Sequence, residues 1–225
     1  MDRASYSRIE SFMLERMNDG AHDEQHIYRV LYAALDLAAD YQGVDVDVLI
    51  AAALLHDIGR DAQFKDPKLD HAAVGAEAAY AFLIASGWDK SRALHARECI
   101  RSHRYRNDAE PESIEAKILF DSDKLDVTGT IGIARTLAYK GIVAEPLYSL
   151  DEDGNVLSGG RETEPSFFQE YNWKLKNVYG KFYTEKAEKI AETRRKASVD
   201  FYESMLAEVE TTHRIGMRRL SETLD

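Results

Sequence analysis

The chain has 225 residues, of which 44% are hydrophobic and 31% are charged, a composition typical of a globular protein with one sizeable core. Its formal net charge of −11 argues against nucleic acid or an anionic membrane surface as a partner, because both require a basic patch. The single cysteine, Cys99, excludes an intrachain disulfide and a thiolate metal cluster. The first ten residues lack the apolar region of a signal peptide, and the longest apolar run (48–55) is too short to cross a bilayer, so we expect a cytoplasmic protein.

Helical spacing of apolar residues dominates the first half of the sequence. It predicts helices, the second of them capped by Asp23, over residues 5–17, 23–43, 45–58, 69–86, 89–103 and 111–127. The segment 59–67 is polar and contains glycine and proline, which predicts a loop.

The second half continues the helical pattern with one interruption. Helix is expected from 129 to about 140 and, highly charged, over 185–210, followed by a tail from 211 that is frayed or partner-dependent. Turn residues in DEDGNVLSGGRE predict a surface loop near 145–162 that could include a small hairpin. The fold class is therefore all-α, in one domain spanning residues 1–225.

Histidines and carboxylates enter the predicted core at separate points along the chain. His56 and Asp57 directly follow a buried apolar run, where unpaired polar groups are costly; for His56 the alternative is a helix C-cap. His26 and Asp123 each lie on the same face as the apolar residues of their predicted helices, and so does Asp121. Spacing therefore does not decide whether Asp121 or Asp123 is the ligand. A divalent metal would satisfy such imidazole nitrogens and carboxylate oxygens.

The ordered set of His26, LLHDIG with His56 and Asp57, and ILFDSDKLD with Asp123 resembles the HD-domain metal-dependent phosphohydrolase superfamily (H…HD…D). The segments HAAVGAEAA, CIRSHR, GIAR and YTEKAEKIAETRR are similar to a bacterial subgroup of stand-alone HD proteins that includes nucleotide pyrophosphohydrolases. The resemblance covers about residues 20–210. It implies a helical bundle with an HD metal-binding core at 20–130 and a helical C-terminal extension at 131–225.

The superfamily pattern also assigns roles to these residues. It places the last ligand immediately before Lys-Leu, which selects Asp123 and implies metal ligation by His26, His56, Asp57 and Asp123. Asp121 is then expected to orient a histidine ligand.

Further polar residues are candidates for catalysis and substrate binding. Asp57 would orient a water molecule, while Arg60 and Lys124 would offset phosphate charge, unless these two cations are merely solvated. His22 and His95 are expected to have no role at the site. The predicted substrate-binding residues, for which packing, surface or solvated-helix roles are the alternatives, are His71, His103, Lys174, Lys176 and Arg194.

The expected reaction is metal-dependent hydrolysis of a phosphoester or phosphoanhydride bond, and the resemblance favours cleavage of a nucleoside triphosphate to monophosphate and pyrophosphate. One divalent ion is expected, with Mn²⁺, Fe²⁺, Co²⁺ or Ni²⁺ favoured over Zn²⁺ and Mg²⁺ also compatible. The alternatives are another phosphomonoesterase or phosphodiesterase activity, a di-iron HD oxygenase with extra ligands from His71 and His103, and an inactive nucleotide-binding module. The expected partner is a small phosphorylated molecule, not nucleic acid or a membrane, and the oligomeric state is left open.

Overall fold

The computed structural model describes residues 1–17, 24–104 and 110–224, a range that excludes His22 and Asp23. These residues form ten α-helices, one short 3-10 helix at Leu175–Asn177 and a single isolated β-bridge, which confirms the all-α fold class. No helix in this part of the chain has the length and hydropathy that a membrane crossing requires. The helices are α1 (Arg3–Leu14), α2 (Glu24–Ala38), α3 (Val46–Leu55), α4 (Arg60–Lys65), α5 (His71–Ala85), α6 (Lys90–Arg101), α7 (Ile114–Leu125), α8 (Gly129–Ile142), α9 (Phe167–Trp173) and α10 (Glu185–Leu224).

Two predictions about local structure were wrong. Residues 60–65, expected in a loop, form α4, whose first turn is closed by the hydrogen bond from Gln63 N to Gly59 O at 3.2 Å. The tail from residue 211 was expected to be frayed or partner-dependent. Dependence on a partner stays a prediction, whereas fraying is wrong, because the tail is helical to Leu224. Its charged side chains pair along the helix, as Arg218 does with Glu222 at 3.9 Å, and such pairs support an exposed helix that has no apolar stripe. The expected hairpin is reduced to the antiparallel bridge between Leu150 and Val156.

The described chain divides into two compact units. The first comprises Met1–Asp126 and Phe182–Ala187, and the second comprises Val127–Lys181 and Glu188–Asp225. The first unit thus contains α1 to α7 together with the beginning of α10. The second contains α8, α9 and the remainder of α10.

Helix α3 is the central element of the first unit. All of its residues from 48 to 55 except Ile50 are fully buried, and it contacts α1, α2, α5, α6 and α7. A helix that is apolar on every side is stable only when other elements surround it. The same burial carries the polar residues at its C-terminal end into the interior of the unit.

A close backbone approach fixes the turn between α3 and α4. A Cβ atom on Gly59 would lie 2.2 Å from the carbonyl oxygen of His71 and 2.7 Å from the amide nitrogen of Gly75. Only glycine permits this distance, so Gly59 allows the turn to press against the first turn of α5. The contact brings His71 next to the end of α3.

The second unit has its own aromatic core. Ile133, Phe167, Phe168, Tyr171 and Leu175 are buried together. Tyr202 of α10 stacks on Tyr171 with ring centroids 4.1 Å apart. Large aromatic rings in such pairs supply much of the burial that holds a small unit together.

Candidate metal centre

The four predicted metal ligands converge in the first unit. His26 comes from the first turn of α2, His56 and Asp57 follow α3, and Asp123 lies in the last turn of α7. The Nε2 atom of His26 is 3.2 Å from Asp123 Oδ1, 3.5 Å from Asp57 Oδ2 and 3.3 Å from His56 Nε2. Adjacent ligands around one six-coordinate ion, each about 2.1 Å from it, are separated by about 3 Å. The spacing of these donor atoms therefore suits a shared cation.

Hydrogen bonds to Nδ1 orient both imidazole rings of this set. His26 Nδ1 donates to Asp126 Oδ2 at 2.7 Å, and His56 Nδ1 donates to the carbonyl oxygen of Ala53 at 2.8 Å. A ring that donates from Nδ1 can keep a lone pair at Nε2, the form in which histidine binds metal. Both Nε2 atoms face the carboxylates.

His71 and His103 lie against the other side of Asp57 with the same orientation. His71 Nδ1 donates to Gln63 Oε1 at 2.6 Å, and His103 Nδ1 donates to the carbonyl oxygen of Ile100 at 2.6 Å. Gln63 in turn donates from Nε2 to Leu69 O at 2.8 Å, which fixes which amide atom faces the ring. The Nε2 atoms of His71 and His103 lie 3.3 and 3.6 Å from Asp57 Oδ1.

Three buried polar atoms at this place have no hydrogen-bond partner within residues 1–17, 24–104 and 110–224: Asp57 Oδ1, His71 Nε2 and His103 Nε2. Leaving such atoms unsatisfied costs about 1–3 kcal/mol each. A carboxylate oxygen facing two imidazole lone pairs is a donor set that a cation satisfies. His56, Asp57 and His103 accordingly form a second group of closely spaced ligand atoms, beside that of His26, His56 and Asp123.

Burial controls the charge of the histidines. It lowers the pKa of His56 to about 4 and that of His71 to about 4, so both rings are neutral at pH 7 and able to ligate. Burial also disfavours charge on His26, but the carboxylates of Asp123, Asp126 and Asp57 outweigh it and raise the pKa of His26 to about 10. Without a metal, the proton on His26 supplies positive charge to the carboxylates.

The two carboxylates remain ionised in spite of their burial. Burial disfavours the charge of Asp57, but Arg60 and the surrounding histidines hold its pKa well below the usual range. Burial is likewise opposed at Asp123 by His26, which lowers the pKa of Asp123. Both side chains are therefore anionic ligands at neutral pH.

The residue that orients His26 is Asp126, which the sequence analysis missed; that role was expected of Asp121. Asp126 accepts from His26 Nδ1 and also from Arg29, whose Nε lies 2.7 Å from Asp126 Oδ1. Asp121 was expected to orient a histidine, and this prediction was wrong. Its carboxylate instead accepts from the amide nitrogens of Tyr183 and Thr184 and from Thr184 Oγ1 at 2.7–3.1 Å.

The two predicted catalytic cations lie in the first unit. Arg60 Nε is 2.9 Å from Asp57 Oδ2, and the Arg60 side chain is 38% exposed. Lys124 Nζ lies over the ring of Phe182, 4.5 Å from its centroid, and 5.6 Å from that of Phe120. Arg60 thus contacts a predicted ligand directly, and Lys124 follows another in sequence.

His95, expected to lie outside the site, pairs with Ser113 and Glu115 instead of the cluster, its Nε2 being 2.9 Å from Ser113 Oγ.

The other three predicted substrate-binding residues belong to the second unit. Lys174 pairs with Glu170 at 3.0 Å, and Lys176 is exposed in the 3-10 helix. Arg194 Nη1 lies 3.4 Å from Thr128 Oγ1. Their role in substrate binding stays a prediction.

Comparisons with known proteins identify the family. The HD domain model matches residues 24–128, the part of the chain that contains the whole cluster. A predicted HD superfamily hydrolase from an uncultured Thermotogales bacterium is 32% identical, with a TM-score of 0.59, over 89% of this chain and 90% of that one. The chain belongs to the HD superfamily. HD domains bind divalent metals, in agreement with the donor atoms described above.

A second relative is a Bacillus subtilis protein. The uncharacterized protein YpgQ is 29% identical over 188 residues, 80% of each chain. A crystal structure of YpgQ in complex with ADP has a TM-score of 0.69 and 23% identity, and the alignment covers 91% of this chain and 97% of YpgQ. At that identity the structural likeness establishes the shared HD fold.

Proposed function

We propose that the chain is a divalent-metal-dependent phosphohydrolase that cleaves a nucleoside triphosphate to the monophosphate and pyrophosphate. The observation that carries the proposal is the cluster of His26, His56, Asp57 and Asp123, with donor atoms 3.2–3.9 Å apart. A buried cluster of this kind in an HD superfamily member favours hydrolysis at phosphorus over a purely structural role.

These same four residues would hold the metal. A divalent ion held there would lower the pKa of bound water toward neutrality and polarise the phosphoryl group. The hydrogen bonds to Nδ1 of His26 and His56 hold the two rings in place before any ligand arrives, so little reorganisation is needed on binding. The donor set contains no thiolate, which leaves Mn²⁺, Fe²⁺, Co²⁺, Ni²⁺ and Mg²⁺ as candidates ahead of Zn²⁺.

The chain's own residues supply charge and hydrogen-bond acceptors around the substrate. Arg60, partly exposed beside Asp57, and Lys124 would offset the negative charge of the phosphates. Asp57 Oδ1 and His71 Nε2, both buried without a partner in the described structure, are placed to accept a hydrogen bond from water. Because His71 is neutral and donates from Nδ1, its Nε2 favours a role toward water or a cation over donation to a phosphate oxygen.

Two observations support a nucleotide as the substrate. YpgQ, a relative of this chain, has a crystal structure in complex with ADP. The sequence segments outside the metal cluster resemble a subgroup that includes nucleotide pyrophosphohydrolases. Lys174, Lys176 and Arg194, which belong to the second unit, remain our candidates for substrate binding.

The test is release of pyrophosphate and phosphate from a panel of nucleotides. Metal-stripped protein is resupplied separately with Mn²⁺, Co²⁺, Ni²⁺, Fe²⁺ or Mg²⁺, and the wild type is compared with His56→Ala. His95→Ala is the matched control, since His95 lies in the same unit but contacts Ser113 and Glu115. We expect metal-dependent pyrophosphate release that His56→Ala abolishes and His95→Ala retains. Absence of cleavage with every metal would refute the substrate class.

A second candidate function rests on the second group of donors. His56, Asp57 and His103 lie close together, and His71 Nε2 has no described partner. These ligands suit a second ion, as a di-iron oxygenase requires. Metal analysis of protein purified without chelators distinguishes the two candidates: two irons per chain with no nucleotide cleavage would favour the oxygenase.

A further inference from the structure

A short segment at the start of α10 is anchored to the metal-bearing unit. Phe182–Ala187, which we call the return segment, belongs to the first unit although its neighbours in sequence belong to the second. The Asp121 carboxylate accepts from Tyr183 N, Thr184 N and Thr184 Oγ1 at 2.7–3.1 Å. Lys186 Nζ donates to the carbonyl oxygen and the carboxylate of Asp36 at 2.7 and 2.8 Å. The return segment is thus held to both α7 and α2.

The anchoring determines the position of the Phe182 ring. This ring lies 4.5 Å from Lys124 Nζ, and that of Phe120, from the preceding turn of α7, lies 5.6 Å away. An ammonium group within about 6 Å of an aromatic centroid is attracted to the face of the ring. Lys124 immediately follows Asp123, so Phe182 acts on the cation nearest in sequence to a candidate ligand.

The backbone before Phe182 has a conformation that requires such anchoring. Lys181 has a φ of +68°, in the left-handed region that residues with a side chain rarely adopt. Outliers of this kind persist where the surrounding contacts fix them. Here the hydrogen bonds to Asp121 begin two residues later and hold the chain on that path.

We propose that Phe182 is a positioning residue, whose ring, held by the contact between Asp121 and Thr184, places the Lys124 ammonium to bind the phosphates of the substrate. The phosphate part of this inference rests on the proposed function. The contact between Phe182 and Lys124 is independent of it, so each part is tested separately.

The first test detects the contact without any turnover. Reductive ¹³C-methylation gives each lysine an NMR signal that retains its charge, and Lys124→Arg identifies the signal of Lys124. We expect a ring-current shift of this signal that Phe182→Leu removes and Phe182→Tyr preserves. Thr184→Val should reduce the shift, and Thr184→Ser, which keeps the hydroxyl donor, should restore it.

Phe12→Leu is the matched control for this experiment. Phe12 also carries a cation on its ring, with Arg16 3.4 Å from the centroid, but on α1. The Phe12→Leu substitution should leave the Lys124 signal unchanged. An unchanged Lys124 signal in Phe182→Leu would overturn the positioning role, whatever the enzyme hydrolyses.

The second test titrates Mg²⁺-loaded protein with inorganic pyrophosphate and follows the same signal. We expect the Lys124 signal to respond in the wild type and to need about two- to five-fold more pyrophosphate in Phe182→Leu. Lys124→Ala should weaken pyrophosphate binding measured by calorimetry, and adding Phe182→Leu to it should weaken binding no further. The phosphate role of Lys124 would be overturned if pyrophosphate left the Lys124 signal unchanged. It would also be overturned if the losses of pyrophosphate affinity from the two substitutions added up in the double variant. Failure of nucleotide cleavage alone would refute only the proposed function.

Discussion

Replacing Asp126 with asparagine tests whether this residue, which the sequence analysis did not identify, controls metal binding. The carboxylate is 5% exposed, accepts from His26 Nδ1 at 2.7 Å and is held by Arg29 at 2.7 and 3.1 Å. Asparagine keeps the size of the side chain but removes the charge that pairs with Arg29 and supports His26. Loss of such a partner lowers metal affinity about 10- to 100-fold, which corresponds to about 1.4–2.7 kcal/mol.

The assay is competition for Co²⁺ between the metal-stripped protein and a chromophoric chelator. Glu115→Gln is the matched control, because Glu115 is likewise a buried carboxylate that contacts a histidine. It lies on α7, and its partner, His95 at 3.1 Å, is outside the cluster. The Glu115→Gln variant should be less stable than the wild type. Its Co²⁺ affinity should stay within about two-fold of the wild-type value, the agreement expected for a site that does not interact with the metal. If Asp126→Asn binds Co²⁺ as tightly as Glu115→Gln while His26→Ala does not, the orienting role of Asp126 is refuted.

Three further predictions concern stability and reactivity. Gly59→Ala should destabilise the protein by at least about 2 kcal/mol in urea unfolding, because its Cβ would overlap backbone atoms at 2.2 and 2.7 Å. In the control Gly141→Ala the new Cβ meets nothing within 4 Å, so this variant should be neutral or stabilising. Equal losses of stability in the two variants would contradict the close-approach argument. Cys99 is fully buried, and burial raises the pKa of its thiol to about 12. A disulfide reagent at pH about 8.5 should therefore label Cys99 only when urea unfolds the chain. Rapid labelling of the folded protein would contradict this. The Arg92 hydrogen bonds lower the pKa of Asp45 in the folded state, so this contribution is present above the unfolded pKa and is lost as pH falls through the lower folded value. Arg92→Leu should therefore cost about 1 kcal/mol at neutral pH, and the difference should shrink below pH about 4; a difference independent of pH would refute the assignment.

The core of the site was accessible from local sequence patterns. His26 and Asp123 lie on the apolar stripes of their helices, and His56 ends a run that is buried on all sides. A polar residue on such a stripe faces the interior. Periodicity left Asp121 and Asp123 as alternatives, and the resemblance to the HD superfamily selected Asp123. The signal for Asp126 was also present, because it lies three residues after Asp123, where a helix brings side chains to one face.

Long-range partners were not accessible in the same way. Asp121 is buried on α7 as its stripe predicts, but its partner Thr184 lies 63 residues away along the chain. No local pattern identifies which donor will meet a buried carboxylate at that separation. The extension of α10 to Leu224 was missed for a different reason: its last turns have no apolar stripe, and periodicity does not register helices held by charge pairs.

The alternative first considered for His56, a helix C-cap, describes the same geometry as metal ligation. At the C-terminal end of a helix the last carbonyl groups lack an internal donor. His56 donates from Nδ1 to Ala53 O, and His103, just beyond α6, donates from Nδ1 to Ile100 O, each three residues back. Donation from Nδ1 leaves the lone pair on Nε2, which is the atom that faces Asp57. Closing the helix therefore selects the tautomer that a metal requires, so a histidine at a buried helix end serves both roles with one hydrogen bond.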